Sequence, residues 1–399
     1  MKTIQAVDLK GKRVWVRVDF NVPLAPEGRI TDDARIQAAL PTLQYALDQG
    51  AKLIIASHLG RPKGRPAPEF SLAPVAERLG ALLERRVTMA KDCIGPGAAS
   101  AVDGMAEGEV VLLENLRYHA GEQKNDPAFA EALAALADVY VNDAFAVCHR
   151  AHASVAAITR YAPVSAAGFL LQKELDYFAR AMTSPRRPLV AVVGGAKVSS
   201  KLAALERMLE KVDRIVIGGA MANTFLKQQG IDIGGSMVEN DMLDAAGSVM
   251  DACRSKGIDL HLPVDVAAAD RFDAGAEMRI VPVDAIPSGW MALDIGPETS
   301  QRYADALSSA ATVVWNGPMG AFEMAPYSRG TVALAQCVAG LDALTIIGGG
   351  DTHAAVHLAG VTNEMSYIST GGGAFLTLLE GRPLPAVEAL DEADTNGAR

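Results

Sequence analysis

Short apolar runs, bounded by glycine or polar residues, recur along this chain. In the first half they occupy residues 13–18, 52–56, 110–113 and 139–141. In the second half they occupy 189–193, 214–217, 312–315, 343–347 and 366–369. The runs are continuously apolar rather than alternating, which predicts strands buried on both faces, as in parallel sheets. Helical spacing fills the gaps: after Lys201, residues Leu202, Leu205, Leu209 and Val212 recur at the period of a helix. Strand, loop and helix alternate through both halves. The expected fold class is therefore α/β, with two doubly wound parallel-sheet (Rossmann-like) domains joined by a helix and a cleft between them.

Residues 172–182 read as the joining helix, and TSPRRP at 183–188 breaks the pattern after it. The expected division is a first domain over 1–171, a joining helix and hinge over 172–187, and a second domain over 188–380. A C-terminal segment, 381–399, is expected to return towards the first domain. Its polar end from Asp391, DEADTNGAR, is expected to fray. The length of 399 residues agrees with two domains of ~100–200 residues each.

Composition narrows the function. Half the residues are hydrophobic and 21% are charged, as in a globular protein with sizeable cores. The net charge of −10 disfavours nucleic acid and anionic membranes as partners. It also means that an anionic substrate needs a local basic cluster. Cys93, Cys148, Cys253 and Cys337 are dispersed, with no C-x-x-C pair and no zinc-type spacing, as expected of thiols in a reducing compartment. The N-terminal residues lack the apolar core of a signal peptide, and no apolar run approaches the ~20 residues of a membrane span. A cytoplasmic protein is expected.

Ligands of open α/β sheets bind beyond the carboxyl ends of the strands. In the first half those ends carry charge: Asp19 and Asn21, His58 and Arg61, Arg117, and His149 with Arg150, while Arg35 lies in TDDARI. In the second half they carry glycine: Gly194 and Gly195, Gly218 and Gly219, Gly317, Gly348 to Gly350, and Gly371 to Gly373. Arginine and histidine converging from several strands would hold a small polyanion. Glycine turns before helices let backbone N–H groups approach phosphates. A lone arginine after a strand is ordinarily a solvated surface residue, and a glycine pair is ordinarily turn chemistry. Repetition at one end of successive strands is what carries the reading: one half for an acidic metabolite, the other for a nucleotide.

These blocks resemble the phosphoglycerate kinase family. The matching segments are RVDFNVPL at 17–24, SHLGRPKG at 57–64, LLENLRY at 112–118, NDAFAVCHRAHAS at 142–154 and VVGGAKVSSK at 192–201. They continue with IGGAMANTF at 217–225, LDIGP at 293–297, VVWNGPMGAFE at 313–323, IGGGDT at 347–352 and STGGGA at 369–374. They stand in family order over nearly the whole chain. The resemblance implies reversible transfer of the acyl phosphate of 1,3-bisphosphoglycerate to ADP, giving 3-phosphoglycerate and ATP, with Mg2+. Sites on two separate lobes make a hinge motion the expectation, and a monomer is expected. It implies a phosphoglycerate site of Asp19, Asn21, Arg35, His58, Arg61, Arg117 and Arg150. It implies a nucleotide site of Lys197, Lys201, Gly219, Asn316, Glu323, Gly349, Gly350, Asp351 and Thr352, with Glu323 on the ribose and Asp351 near magnesium. Arg35, Lys201 and Gly372 would meet the transferred phosphoryl.

The chain departs from the family pattern at Ala146, at Val147-Cys148, at Tyr118 and at Phe375, which stands where a serine is common. No charged site residue is lost. Asp351, following a glycine run, is equally suited to capping a helix. A nicotinamide-dependent dehydrogenase on a Rossmann sheet is the competing enzyme reading, but GGAKVSS lacks the G-x-G-x-x-G spacing. A non-enzymatic two-lobe binding protein is the competing non-enzyme reading.

Overall fold

The computed structural model describes residues 1–397. The chain forms two compact units: Met1–Leu175 together with the segment that starts at Pro383, and Asp176–Arg382. The first unit is built on six parallel strands, β1 (Arg13–Arg17), β2 (Lys52–Ala56), β3 (Val87–Met89), β4 (Val110–Leu112), β5 (Val139–Asn142) and β6 (Ser165–Ala167). Their order is β3-β4-β2-β1-β5-β6. The register sets Arg17 beside both Ala56 and Asn142. The segments leaving β1, β2 and β5 therefore start level with one another, which brings Asp19, His58 and Asp143 to one edge.

The helix Ala34–Asp48 buries Ile36, Ala39, Leu43, Ala46 and Leu47 on one face against this sheet, although Pro41 lies inside it. The spacing of three and four residues is the stripe that a sheet-packed helix needs. The helix Phe169–Met182 is capped from both sides. The Thr42 hydroxyl accepts from Phe169 N at 2.9 Å, and Asp143 Oδ1 accepts from Leu170 N at 2.8 Å. Two of the otherwise unpaired N–H groups of its first turn are thus satisfied.

The expected frayed tail is instead ordered as far as it is described: Pro385–Gly397 is a helix, and only 398–399 lie outside the described residues. Leu384, Ala386 and Leu390 are buried, and Ala386 N donates to Cys148 O at 3.3 Å. Burying the two leucines is worth roughly 1.5–3 kcal/mol each. The Met1 amino group adds ion pairs to Asp391 at 2.9 Å and Asp394 at 3.2 Å. The polar composition of the tail concealed an apolar stripe that starts before it, at Leu384.

The second unit holds β7 (Leu189–Val193), β8 (Arg214–Ile217), β9 (Asp259–His261), β10 (Asp265–Ala269), β11 (Met278–Pro282), β12 (Met291–Ile295), β13 (Thr312–Asn316), β14 (Leu344–Gly348) and β15 (Tyr367–Ile368). Six are parallel in the order β15-β14-β13-β7-β8-β9, and three form a separate antiparallel sheet, β11-β10-β12. Asn316 pairs with Gly348 on one side and Val193 on the other, and Val193 pairs with Ile217. The glycines after these strands therefore share one edge.

The two parallel sheets agree with the expected class. The antiparallel sheet does not appear in the sequence reading, and neither do β3, β6 and β9. β3 and β9 are three-residue edge strands without a fully buried residue, so they give no apolar run. β11 is largely exposed. The helix Leu202–Met208 is shorter than its periodicity suggests, because Leu209 and Val212 stay buried in the turn that follows.

Candidate active site

In the first unit a chain of −10 charge concentrates cations at one sheet edge. Arg35, one residue into the helix Ala34–Asp48, pairs with Asp19 Oδ2, while Asp19 Oδ1 accepts from Asn21 N at 3.1 Å. Asn21 Oδ1 accepts from Gly60 N at 2.8 Å, which leaves its amide NH2 as the remaining donor. Arg117 is buried; its Nη1 donates to Gly60 O at 2.8 Å, and its Nε has no partner. Burial, then the neighbouring Arg17 and Arg150, lowers its pKa to about 10. Arg150 Nε donates to His149 Nε2 at 3.1 Å, and Arg61 is exposed. All seven expected phosphoglycerate residues belong to this unit.

His58 is buried, and its pKa is held well below the ordinary histidine value by burial and then by Arg17, Arg117 and Arg35. His152 is pushed down to about 3 by burial and then by Arg17 and Arg117, and its Nδ1 has no hydrogen-bond partner. Both rings are therefore neutral near pH 7. Crowded guanidinium groups and the unpartnered Nε of Arg117 are an arrangement suited to a polyanion, which could answer them with charge-assisted hydrogen bonds.

Arg17 lies beneath this cluster and was not singled out from the sequence. It is fully buried at the end of β1. Its Nε donates to Ser154 Oγ at 2.8 Å, and its Nη2 lies 3.2 Å from His58 Nδ1 and 3.8 Å from Glu122 Oε1. Glu122, also fully buried, accepts from Ser154 N at 2.9 Å and from Ser154 Oγ at 2.6 Å. The available signal was a charged residue ending β1, whose interior, Val14 to Val16, is apolar.

In the second unit backbone meets backbone at the strand ends. Gly219 has φ +70, and a Cβ there would stand 2.6 Å from Gly195 N and O. Asn316 is buried; its Nδ2 donates to Gly348 O at 2.9 Å, and its Oδ1 accepts from Lys201 Nζ. Burial lowers the pKa of Lys201 to about 8 despite the nearby Asp351 carboxylate. The helices Gly350–Leu358 and Gly372–Leu379 start side by side, since a Cβ on Gly372 would lie 3.1 Å from Gly349 Cα. Two helix N-termini thus present free N–H groups near one ammonium, an arrangement suited to phosphate.

Gly349, not Asp351, is the cap of the first of these helices, and Asp351 lies in its first turn. Thr352 spends its hydroxyl inside the protein, accepting from Gly317 N at 2.7 Å and donating to Gly348 O at 2.8 Å. A pocket of about 720 Å³ opens beside these groups, lined by Gly219, Asn223, Val238, Leu293, Glu323 and Asp351 among others. Apolar walls with an exposed carboxylate at Glu323 suit a base and its ribose. Lys197 is exposed in the loop after β7.

The phosphoglycerate kinase family model matches residues 4–382. The chain belongs to this family. It is 58% identical over 391 residues to phosphoglycerate kinase of Desulfosudis oleivorans, covering 98% of this chain and 99% of that protein. It is 56% identical to that of Geobacter metallireducens over 96% of both chains. The solved structure of phosphoglycerate kinase from Coxiella burnetii aligns with a TM-score of 0.90 at 45% identity over 98% of each chain. That from Pyrococcus horikoshii aligns with a TM-score of 0.85 at 33% identity, covering 99% of this chain and 100% of that one. The enzyme is a glycolytic phosphotransferase with a carboxyl acceptor, acting between 1,3-bisphosphoglycerate and ADP to give 3-phosphoglycerate and ATP. Nothing supports the dehydrogenase reading.

Proposed function

We propose that 3-phosphoglycerate is held by Asp19, Asn21, Arg35, His58, Arg61, Arg117 and Arg150, within a domain of residues 1–171. The nucleotide is held by Lys197, Lys201, Gly219, Asn316, Glu323, Gly349, Gly350, Asp351 and Thr352, within a domain of residues 188–380. Residues 172–187 join the two. The observation that carries this division is the unpartnered Nε of the buried Arg117, beside His58, in a unit whose strand ends carry charge rather than glycine.

The acceptor is a carboxylate, already ionised at pH 7, so no protein base is required. In the ATP-consuming direction a carboxylate oxygen bonds to the γ-phosphorus, and the bond from that phosphorus to the β–γ bridging oxygen breaks. Catalysis then rests on positioning and on charge stabilisation. Arg35, Lys201 and the N–H groups at Gly372 meet the charge on the transferred phosphoryl. Thr352 acts through its backbone, since its hydroxyl is engaged.

Magnesium fits the residues present. Asp351 is exposed, lines the 720 Å³ pocket and gives its carboxylate to no hydrogen bond among the described residues. A single carboxylate beside phosphate oxygens and water is what Mg2+ prefers, and it would neutralise nucleotide phosphate charge.

Hinge closure on binding both substrates, a monomeric state and a cytoplasmic location belong to the same proposal. No helix of the described residues is long and apolar enough to cross a membrane. Calorimetric titration of each ligand into wild type and Arg117→Ala tests the division. Selective loss of 3-phosphoglycerate affinity supports it, and equal loss of both affinities rejects it. Small-angle scattering tests closure: the doubly loaded enzyme is expected to have the smallest radius of gyration.

A further inference from the structure

Asp92 and Cys93 lie in the turn between β3 and the helix Gly95–Val102, and His119 follows β4 as the residue before the helix Ala120–Gln123. None of them belongs to the proposed phosphoglycerate set. The fold brings their ligand atoms, a carboxylate oxygen, a thiol sulfur and an imidazole nitrogen, within 4.8 Å of one another. His119 Nε2 lies 2.7 Å from Asp92 Oδ1, and that oxygen also accepts from Cys93 N at 2.6 Å. The imidazole is fixed by stacking on Phe129, with centroids 5.3 Å apart and planes 28° from parallel. Cys93 is fully buried, while Asp92 and His119 keep 41% and 30% of their side-chain surface exposed. The cluster thus has a closed floor of sulfur and an open mouth.

We propose that Asp92, Cys93 and His119 form a binding site for a borderline divalent transition-metal ion, of which Zn2+ is the type, with water completing the coordination. The donor set decides the class of ion. One sulfur, one nitrogen and one oxygen suit Zn2+ and its neighbours, whereas Mg2+ selects oxygen ligands alone. The magnesium that serves phosphoryl transfer therefore does not compete.

Zinc bonds of ~2.3 Å to sulfur and ~2.0–2.2 Å to nitrogen and oxygen place tetrahedral N and O ligands about 3.3 Å apart. The Asp92–His119 contact of 2.7 Å then has to open by about 0.6 Å on that geometry, within reach of two partly exposed side chains. Binding displaces the thiol proton of Cys93 and any proton on His119 Nε2. Burial, then the carboxylates of Asp92 and Glu122, pushes the Cys93 thiol well up in pKa, so the ion has to displace a firmly held proton and its binding tightens as pH rises. Once loaded, the ion ties the segment after the edge strand β3 to the segment after β4. The four cysteines are too far apart in sequence for any spacing to have marked such a site.

The test uses the full chain, stripped of metal and then titrated with Co2+ as a spectroscopic probe. The expected result is one equivalent bound with a thiolate-to-cobalt charge-transfer band, displaced by Zn2+ and not by excess Mg2+. The band should vanish in Cys93→Ser and persist in Cys148→Ser, Cys253→Ser and Cys337→Ser. Absence of the band in wild type, or its persistence in Cys93→Ser, overturns the proposal. Should Cys93→Ser fail to fold, Zn2+ calorimetry on Asp92→Asn and His119→Ala decides. At least tenfold weaker binding in both is expected, together with loss of any Zn2+-induced rise in Tm, and unchanged affinity in both overturns the proposal.

Discussion

Arg17 Nη2 sits 3.2 Å from His58 Nδ1, with both side chains buried. A guanidinium can only donate, so Nδ1 is the acceptor and the single ring proton of His58 resides on Nε2. Arg17 therefore fixes which face of the ring is a donor. The 15N spectrum of His58 is expected to show the neutral Nε2–H tautomer, with no titration in the ordinary histidine range, in keeping with its lowered pKa. Arg17→Gln should restore a mixture of tautomers. It should also cost about 3–5 kcal/mol of stability, because Glu122 is left buried without its cation. An imidazolium signal from His58 near pH 7 in wild type would contradict this arrangement.

Lys201→Ala should lower kcat by ~10²–10³ while weakening nucleotide binding far less. The lysine pKa of about 8 in the free enzyme adds a pH signature. The ammonium is present below that value and lost above it, so kcat/KM for the nucleotide should be level at lower pH and fall as pH rises through about 8. Lys201→Arg keeps its charge throughout, and its slower reaction should lack the falling limb. If that limb survives the substitution, the titrating group lies elsewhere.

Arg117→Ala should raise KM for 3-phosphoglycerate and leave KM for ATP nearly unchanged. Arg117→Lys should rescue little, because a point charge cannot reproduce two directed N–H donors. Full rescue by lysine would reduce the role of Arg117 to bulk charge.

Phe375 is buried and packs on the end of β14. A Cβ on Gly348 would come within 2.1 Å of its ring, and Phe178 meets it edge-on at 6.0 Å. Phe375→Ala should therefore cost about 3–5 kcal/mol. Gly348→Ala should cost about 1–3 kcal/mol from overpacking. In the double variant the two losses should not add, because the alanine methyl then enters space the ring has left. Additive losses in denaturant titrations would break the link between them.

Nine of the twelve parallel strands were legible because strands buried on both faces must be apolar throughout. The same rule hid Arg17, which sits within such a run and resolves its charge through Glu122 and Ser154, two residues that no local pattern connects to it. Arg117 stood out as a charge beyond a strand end, whereas Lys201 was carried by the family resemblance alone. The antiparallel sheet was not, since β10 reads as DVAAA and β11 exposes most of its residues. Glycines at strand ends suggested backbone proximity, but that Gly349 and Gly372 face one another follows only from strand order.

The helix Pro385–Gly397 packs into the unit that the chain begins, while Asp176–Arg382 is continuous in sequence. During synthesis the second unit can therefore complete itself as soon as its own residues have emerged. The first must wait, its strands made but its last helix still to come. Until then the surfaces that receive Leu384 and Leu390 stay open to solvent. The part of the enzyme translated earliest is thus the part finished last, and a chain truncated after residue 382 would hold a closed second unit and an unsealed first one.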